Sequence, residues 1–440
     1  MDVVELARGL IRIDTSNPPG NETPAAELIR DVLVDAGLNA QLVARDPARA
    51  NVVARIPGTE PRGAAPSLAF VGHLDVVPAD ARDWTHPPFE AVVDDDGWLL
   101  GRGAVDMKNE VAARTIAMAD LARTGWRGRG DLWLVLVSDE EDGTALTGME
   151  WLVEAMPEIR TDYAVNEGGG NRLALPDGRV VHTVSIGEKG TYPARVTARG
   201  EAGHASMPTL GRNAVPLLGE LIMRLGDGLP GPELAPVVRP FFEALLGADA
   251  VAAAEASGDL AGLVEQASAQ HPTLRHVVPP LTGTTAAPTM LTAGLRLNVM
   301  PARAQMDVDC RVLPGVSAAQ VEADLRARLG DGVPYDLEWL DRYIPGTASA
   351  PDGPVFAAVQ DWLDVVDPGS AVLPIVCTGF TDSTHVRAAF GTAAYGFNPA
   401  LRTPPQVLAE GIHNRDERIH VDDLASSVDF HVHLARRLLG

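Results

Sequence analysis

Two adjacent glutamates close an apolar run in "DLWLVLVSDEEDGTALTG", residues 131–148. Leu132 to Val137 read as a buried strand, and Ser138, Asp139, Glu140 and Glu141 follow it at once. Like charges side by side repel, and a carboxylate at the edge of a core is costly unless a cation answers it. The same chemistry recurs at other expected strand ends. His73 and Asp75 stand in "GHLD", Asp106 in "GRGAVDMKNE" just ahead of a helix, and Glu167 in "VNEGGG". His413 lies in "GIHNRDERIHVDDL", before the last helix. A lone histidine or acidic turn is ordinarily a surface or satisfied core feature. Two imidazoles and three carboxylates together are not, because such N and O donors suit Zn²⁺, and metal pairs ~3.5–4 Å apart are a hydrolytic device. Asp106, Glu141 and Glu167 set three negative charges against the four positive charges of two divalent ions. Glu140 is left over, where a general base would take the proton of a water whose pKa the ions lower toward ~7. Asp75, two residues beyond His73 on the same strand face, is the expected support of the imidazole.

The elements that must carry these residues alternate strand and helix. "NETPAAELIRDVLVDAGL" has helical apolar spacing behind an Asn/Thr cap region, and "NAQLVARDPARANVVARIPG" alternates as a hairpin. "PSLAFVGHLDVVPA", "GDLWLVLVSDEE" and "TDYAVNEGG" read as strands separated by the helices "KNEVAARTIAMADLARTG" and "ALTGMEWLVEAM". That order predicts an α/β layer with a mostly parallel sheet, whose carboxyl strand ends gather ligands. Near Val184 the character changes. "EKGTYPARVTARGEAGHASMP" alternates like an antiparallel strand, "RNAVPLLGELIMRLGDG" is an amphipathic helix, and strands recur at "GLRLNVMPARAQMDVDCRVLPG" before the helix "SAAQVEADLRARLG". Buried-strand character returns at "AVLPIVCTGF", and "VDDLASSVDFHVHLARRLLG" closes the chain as a helix. The expected organisation is a discontinuous α/β domain, residues 1–187 and 346–440, interrupted by a smaller α+β domain, 188–345, with a Pro/Ala/Gly-rich helical insertion near 229–290.

Composition narrows the function classes. The 440 residues are 46% hydrophobic and 22% charged, as in a globular protein, and no stretch approaches the ~20 apolar residues of a membrane span. A net charge of −23 argues against nucleic acid or an anionic membrane as partner. Two cysteines, Cys310 and Cys377, make no disulfide framework, and "MDVVELARGLIRIDTSNPPG" shows no signal-peptide pattern, so a cytoplasmic location is expected.

"VGHLDVVPA", "GRGAVDMKNEVAA", "VSDEEDGTALTG", "GHASMP", "NVMPARAQMDVDCRVLPG" and "DERIHVDDL" together resemble the M20 metallopeptidases, the aminoacylase, carboxypeptidase and acyl-diamino-acid deacylase group. The resemblance spans essentially the whole chain and keeps the family's motif order. It implies a zinc-peptidase-like catalytic domain with a lid that also dimerises, and two Zn²⁺ per subunit, with Co²⁺ or Mn²⁺ as substitutes. It also implies that Asp106 bridges the ions, with His73 and Glu167 on one and Glu141 and His413 on the other, and that the Asp106–Met107 peptide is cis. Three lid residues match substrate-facing positions by the same resemblance: His204 at the scissile carbonyl, in many members from the partner subunit; Asn298 beside it; and Arg311 on a substrate carboxylate. Two departures stand out: Asn109 and Glu110 replace the usual Gly-Gly pair, and the 229–290 insertion is longer than in a minimal lid. Thr381, Asp382 and His385 in "GFTDSTHVRAAFG" either line the pocket or, for Asp382, cap a helix.

The expected activity is metal-dependent hydrolysis of an amide bond adjacent to a free carboxylate, in an N-acyl amino acid or a short peptide cut from its carboxyl end. A succinyl-diamino-acid desuccinylase is the alternative with the same chemistry. A binding protein that has lost catalysis is the alternative of another class, and the presence of Glu140 and His204 speaks against it.

Overall fold

The computed structural model describes residues 1–226, 229–230 and 234–440. Residues 227–228, the end of the expected helix in "RNAVPLLGELIMRLGDG", and 231–233, inside the expected insertion, lie outside the described residues.

Four parallel strands form the middle of a ten-stranded sheet, in the order Leu132–Val137, Leu68–His73, Tyr163–Asn166 and Ala393–Gly396. The first two are buried at every position because helices cover both faces, so they read as continuous apolar runs. Their register pairs Leu68 with Leu132 and His73 with Val137, which brings His73 level with the start of the Ser138–Glu141 turn. Antiparallel strands extend the sheet on both sides: the hairpin Ala40–Val43 and Asn51–Ile56 at one edge, and Val180–Glu188 beyond Ala393–Gly396. Ala371–Cys377 runs parallel to Val180–Glu188.

Helix Lys108–Arg123 is almost wholly buried, packed between Val3–Arg12 and the C-terminal helix Val421–Leu439. Helix Thr23–Asp35 lacks the expected side-chain cap. Thr23 Oγ1 instead donates to the Pro47 carbonyl at 2.8 Å, and Glu22 at the cap position is turned toward Arg49.

A second, six-stranded antiparallel sheet is built around Ala194–Arg199, Gly283–Ala293, Arg303–Val312 and Tyr335–Trp339. Arg303–Val312 alternates strictly. Ala304, Met306, Val308 and Cys310 pack under helices Ala214–Leu225 and Ala318–Leu329, and Gln305, Asp307, Asp309 and Arg311 point the other way, so one face of this sheet stays polar. The chain crosses between the two sheets twice, side by side: Gly187 and Glu188 pair with Ala348 and Thr347, and Thr191 bridges Ile344.

Helices Arg239–Leu246, Ala248–Ser257 and Leu260–Ser268 fall within the sequence range expected for the smaller domain, yet the first packs on a strand of the larger sheet, Ala371–Cys377, and the other two stack on the first. Phe241, Phe242, Leu245 and Leu263 share one hydrophobic cluster with Leu373 and Val376 of Ala371–Cys377. Arg179 ties this segment down by donating to the carbonyls of Ala244 and Leu245, at 3.0 and 2.7 Å.

Candidate metal centre

Five side chains meet at the carboxyl edge of the parallel strands: His73, Glu141 and Glu167 from strand ends, Asp106 from the turn before a helix, and His413 from a loop. His73 Nε2 lies 3.0 Å from Asp106 Oδ1 and 3.6 Å from Glu167 Oε2. His413 Nε2 lies 3.3 Å from Asp106 Oδ2 and 3.0 Å from Glu141 Oε2. The donor atoms form two groups, His73–Asp106–Glu167 and Asp106–Glu141–His413, each with all its atoms within 4.8 Å of one another. Asp106 belongs to both and turns one oxygen to each imidazole. The Asp106–Met107 peptide is cis. His413 reaches in from a loop in the left-handed region, at φ 57°, a conformation a non-glycine residue adopts only when its surroundings hold it.

The electrostatics are those of a site that demands positive charge. Burial, reinforced by Glu167 and other acidic neighbours, holds Glu140 well above the ordinary carboxylate range. Burial likewise raises Glu141 and Glu167. Asp106 goes the other way: burial opposes it, but the two imidazoles at hydrogen-bond distance pull it down. Asp106 and Glu141 push His413 up to about 10. Glu141 Oε1 is buried with no hydrogen-bond partner, an unsatisfied carboxylate oxygen of the kind folded proteins avoid unless something binds it. The donor set, imidazole nitrogens and carboxylate oxygens with one orphan, fits a pair of divalent cations of the Zn²⁺, Co²⁺ or Mn²⁺ type.

Asp75 supports this edge differently from the expectation. His73 Nδ1 is 3.0 Å from the Asp75 backbone oxygen and 3.6 Å from its carboxylate. The carboxylate instead accepts the amide N–H groups of Glu140 and Glu141, at 3.2 and 3.0 Å, and the Asn17 side-chain amide at 2.9 Å. Strand alternation correctly puts Asp75 on the His73 side. The turn after Val137 then brings two N–H groups closer to the carboxylate oxygens than the imidazole is.

The lid residues stand apart from this cluster. Among the described residues, no hydrogen bond or ion pair joins His204, Asn298 or Arg311 to the five. His204 and Asn298 are exposed neighbours: the Ala205 amide donates to the Asn298 carbonyl at 3.1 Å, and Ser206 Oγ lies 2.8 Å from His204 Nδ1. Arg311 is engaged already, its Nε and Nη2 donating to Asp309 at 2.9 and 3.2 Å. Asp382 occupies the N-cap position of helix Ser383–Phe390 without a side-chain cap bond. With Phe380, His385, Leu146 and Met149 it lines a cavity of ≈ 30 Å³ beside Glu140. Thr381 turns away from it, toward Glu188 at 3.4 Å.

Several residues that hold the site are absent from the sequence-based set. Glu417, fully buried, accepts the amides of Gly103, Val105 and Asp106 at 3.0, 2.6 and 2.9 Å, and pairs with Arg102 at 2.7 Å. Its one signal was its place in "DERIHVDDL", which a solvated turn imitates. Glu110, at one of the two departures from the Gly-Gly pattern, is buried and pairs with Arg114, whose Nε lies 3.1 Å from His431 Nε2. The extra acid therefore comes with its own buried cation.

Two groups of imidazole and carboxylate donors that could each hold a metal ion lie on an α/β sheet beside a smaller sheet carrying polar residues, and comparison with known proteins gives the family. The profile of peptidase family M20/M25/M40 matches residues 69–437, and the chain belongs to that family. It is 29% identical to aminoacylase-1 of Sus scrofa, over 99% of this chain and 95% of that protein. It is 42% identical to succinyl-diaminopimelate desuccinylase of Alkalilimnicola ehrlichii over 154 residues, 34% of this chain and 39% of that one. An M20 family metallo-carboxypeptidase from Sulfolobus solfataricus shares the fold at a TM-score of 0.74 and 20% identity, covering 100% of this chain and 99% of the other.

Proposed function

We propose that the protein is a di-zinc amidohydrolase that removes the acyl group from an N-acyl amino acid, or a residue from the carboxyl end of a short peptide. The carrying observation is the split of Asp106 between two histidine-carboxylate groups, with Glu140 beside them and outside both. Paired divalent cations, when bound, polarise a carbonyl and make water acidic near neutral pH. His73, Asp106, Glu141, Glu167 and His413 are the residues that would hold them.

Glu140 takes a proton from the attacking water and returns it to the departing amine, a task its burial suits by raising its pKa above the ordinary carboxylate range. His204 steadies the oxyanion, Asn298 supports it, and Arg311 exchanges Asp309 for the substrate's carboxylate. His204 would act from the partner subunit of a homodimer. The smaller sheet carries features that suit such a pairing: Met290 and Leu291, on strand Gly283–Ala293, are nearly two-thirds exposed, and Leu295 and Leu297, just beyond it, are fully exposed. A cytoplasmic location suits two cysteines that are free thiols.

The similarity to the desuccinylase keeps an N-succinyl diamino acid as the second substrate class. A screen of N-acetyl, long-chain N-acyl and N-succinyl amino acids and dipeptides with zinc-loaded protein separates these classes. Glu140→Gln should lower kcat by ~10²–10⁴-fold while two metals stay bound. Unchanged turnover in that variant would refute the assignment of the base.

A further inference from the structure

Behind Glu140 and Glu141 runs a chain of buried charge that none of these roles uses. It starts at Glu22, which is fully buried and takes the Arg49 Nε on both oxygens, at 3.2 and 3.0 Å. Arg49 is only 4% exposed, and its Nη1 donates to Asp139 Oδ1 at 3.2 Å. Asn17, 3% exposed, spreads its side-chain amide between Asp139 Oδ1 at 3.1 Å and Asp75 Oδ2 at 2.9 Å. Asp75 then receives the amides of Glu140 and Glu141.

Each bond fixes the next, and the run ends on the two backbone N–H groups whose side chains must part company. Glu141 has to face His413, and Glu140 has to stay free. Asp139, the residue that turns the chain between strand and glutamates, sits at φ 62°. A non-glycine residue held there costs ~1–3 kcal/mol, and Asp139 is held on three sides: by Arg49, by Asn17, and by the Thr147 amide at 3.4 Å. Among the described residues, neither Asn17 nor Arg49 makes a hydrogen bond or ion pair with any of the five metal-site side chains, so removing either deletes no donor atom. Burying three carboxylates on one guanidinium, with the His73 imidazole 3.6 Å from Asp75, adds little stability over an apolar core. It is an effective way to orient a turn.

We propose that Asn17 and Arg49 are positioning residues for the Glu140–Glu141 pair, acting through Asp75 and Asp139 to aim Glu141 at the Asp106–His413 group and hold Glu140 clear of it. This rests on the di-metal reading above. Loss of such a support behind a metal ligand typically costs ~10–100-fold in metal affinity or activity.

The test uses the full chain loaded with Co²⁺, whose visible spectrum reports ligand geometry, in Asn17→Ala, Arg49→Met and the control Phe242→Leu. Phe242 is a fully buried residue of the helical segment on the far strand, and its variant supplies a comparable loss of Tm without touching the turn. Asn17→Ala and Arg49→Met should each weaken one of the two Co²⁺ sites by ~10–100-fold, alter its spectrum, and lower kcat with KM within about twofold. Phe242→Leu should change none of these. If the two variants keep the wild-type Co²⁺ affinity, spectrum and kcat at a Tm loss matching the control, the network only stabilises the fold and the proposal is overturned. Should Arg49→Met fail to fold, Asn17→Ala carries the same test, because it leaves the Arg49–Glu22 pair intact. Glu141→Gln, run alongside, separates the two levels: two Co²⁺ held at wild-type affinity there overturn the di-metal reading and this proposal with it, whereas loss of one ion there beside an unaffected Asn17→Ala overturns the positioning role alone.

Discussion

Replacing Asp106 with asparagine keeps the size of the side chain and removes one charge, and its consequence follows from where the two oxygens lie. Oδ1 is 3.0 Å from His73 Nε2 and Oδ2 is 3.3 Å from His413 Nε2, so the substitution reaches both donor groups at once. The carboxamide would have a single carbonyl oxygen to offer, and its NH₂ would face the other group as a donor where an acceptor is needed. A four-ligand zinc site is worth ~10–16 kcal/mol, about 2.5–4 kcal/mol per ligand, which corresponds to roughly 10²–10³-fold in affinity for each site. Asp106→Asn should therefore lose both ions together on dialysis against a weak chelator, falling from two toward zero per chain. Glu167→Gln and Glu141→Gln each touch one group and should leave about one ion behind. Metal content by plasma mass spectrometry reads the stoichiometry, and the rise of Tm on adding Zn²⁺ reads occupancy independently, because a ligand that binds only the folded state stabilises it by mass action. Retention of two ions at wild-type affinity in Asp106→Asn would refute the shared carboxylate. Loss of a single ion would show that Asp106 serves one site only.

Three further outcomes are open to measurement. Arg311→Ala should raise KM for carboxylate-bearing substrates, whereas Asp309→Asn should lower it about two- to fivefold, because the guanidinium no longer has to leave an exposed partner worth ~0.2–1 kcal/mol; unchanged KM in both means the arginine does not meet substrate. Mixing His204→Ala with Glu140→Gln subunits should restore part of the activity in verified heterodimers if the histidine works across the interface, and complete absence of rescue argues for action within one chain. His431 is held well below its ordinary 6.5 by burial and the nearby Arg114, so below pH 6.5 the unfolded chain binds the extra proton and stability falls as pH falls. Between pH 6.5 and 5.5 the wild-type unfolding free energy in urea should drop ~1 kcal/mol more than that of His431→Gln, and parallel curves would remove His431 as the cause.

The site was legible where its chemistry sits at the ends of strongly patterned elements. "LAFVGH" and "LWLVLV" announce themselves as doubly covered strands, and polar residues at the end of such a run are conspicuous because there is little other reason for them. His73, Glu140, Glu141 and Glu167 follow from that pattern. The family resemblance then supplied the partition of the ligands and the roles of the lid residues. The supports behind the site were not legible. Glu417 and Arg102 are 315 positions apart, and Asn17 and Asp139 are 122 apart, so nothing local distinguishes any of the four from a solvated residue. Helix Arg239–Leu246 shows the same limit for packing. Its amphipathic face is plain in the sequence, but which sheet receives Phe241 and Phe242 depends on a strand, Ala371–Cys377, that arrives more than a hundred residues later.

Sequence alone determined the alternation of strand and helix and the strand ends that carry imidazole and carboxylate. Both depend on the side-chain period of a single element, a local property of the chain. Tertiary structure decided that Asp106 divides its oxygens between two histidines, that the Asp75 carboxylate takes two backbone amides at closer range than the imidazole, and that Arg311 rests on Asp309. Each of these outcomes turns on differences of under an ångström in how separate elements pack, because a hydrogen bond weakens steeply with distance and angle, and no pattern along one strand contains that information.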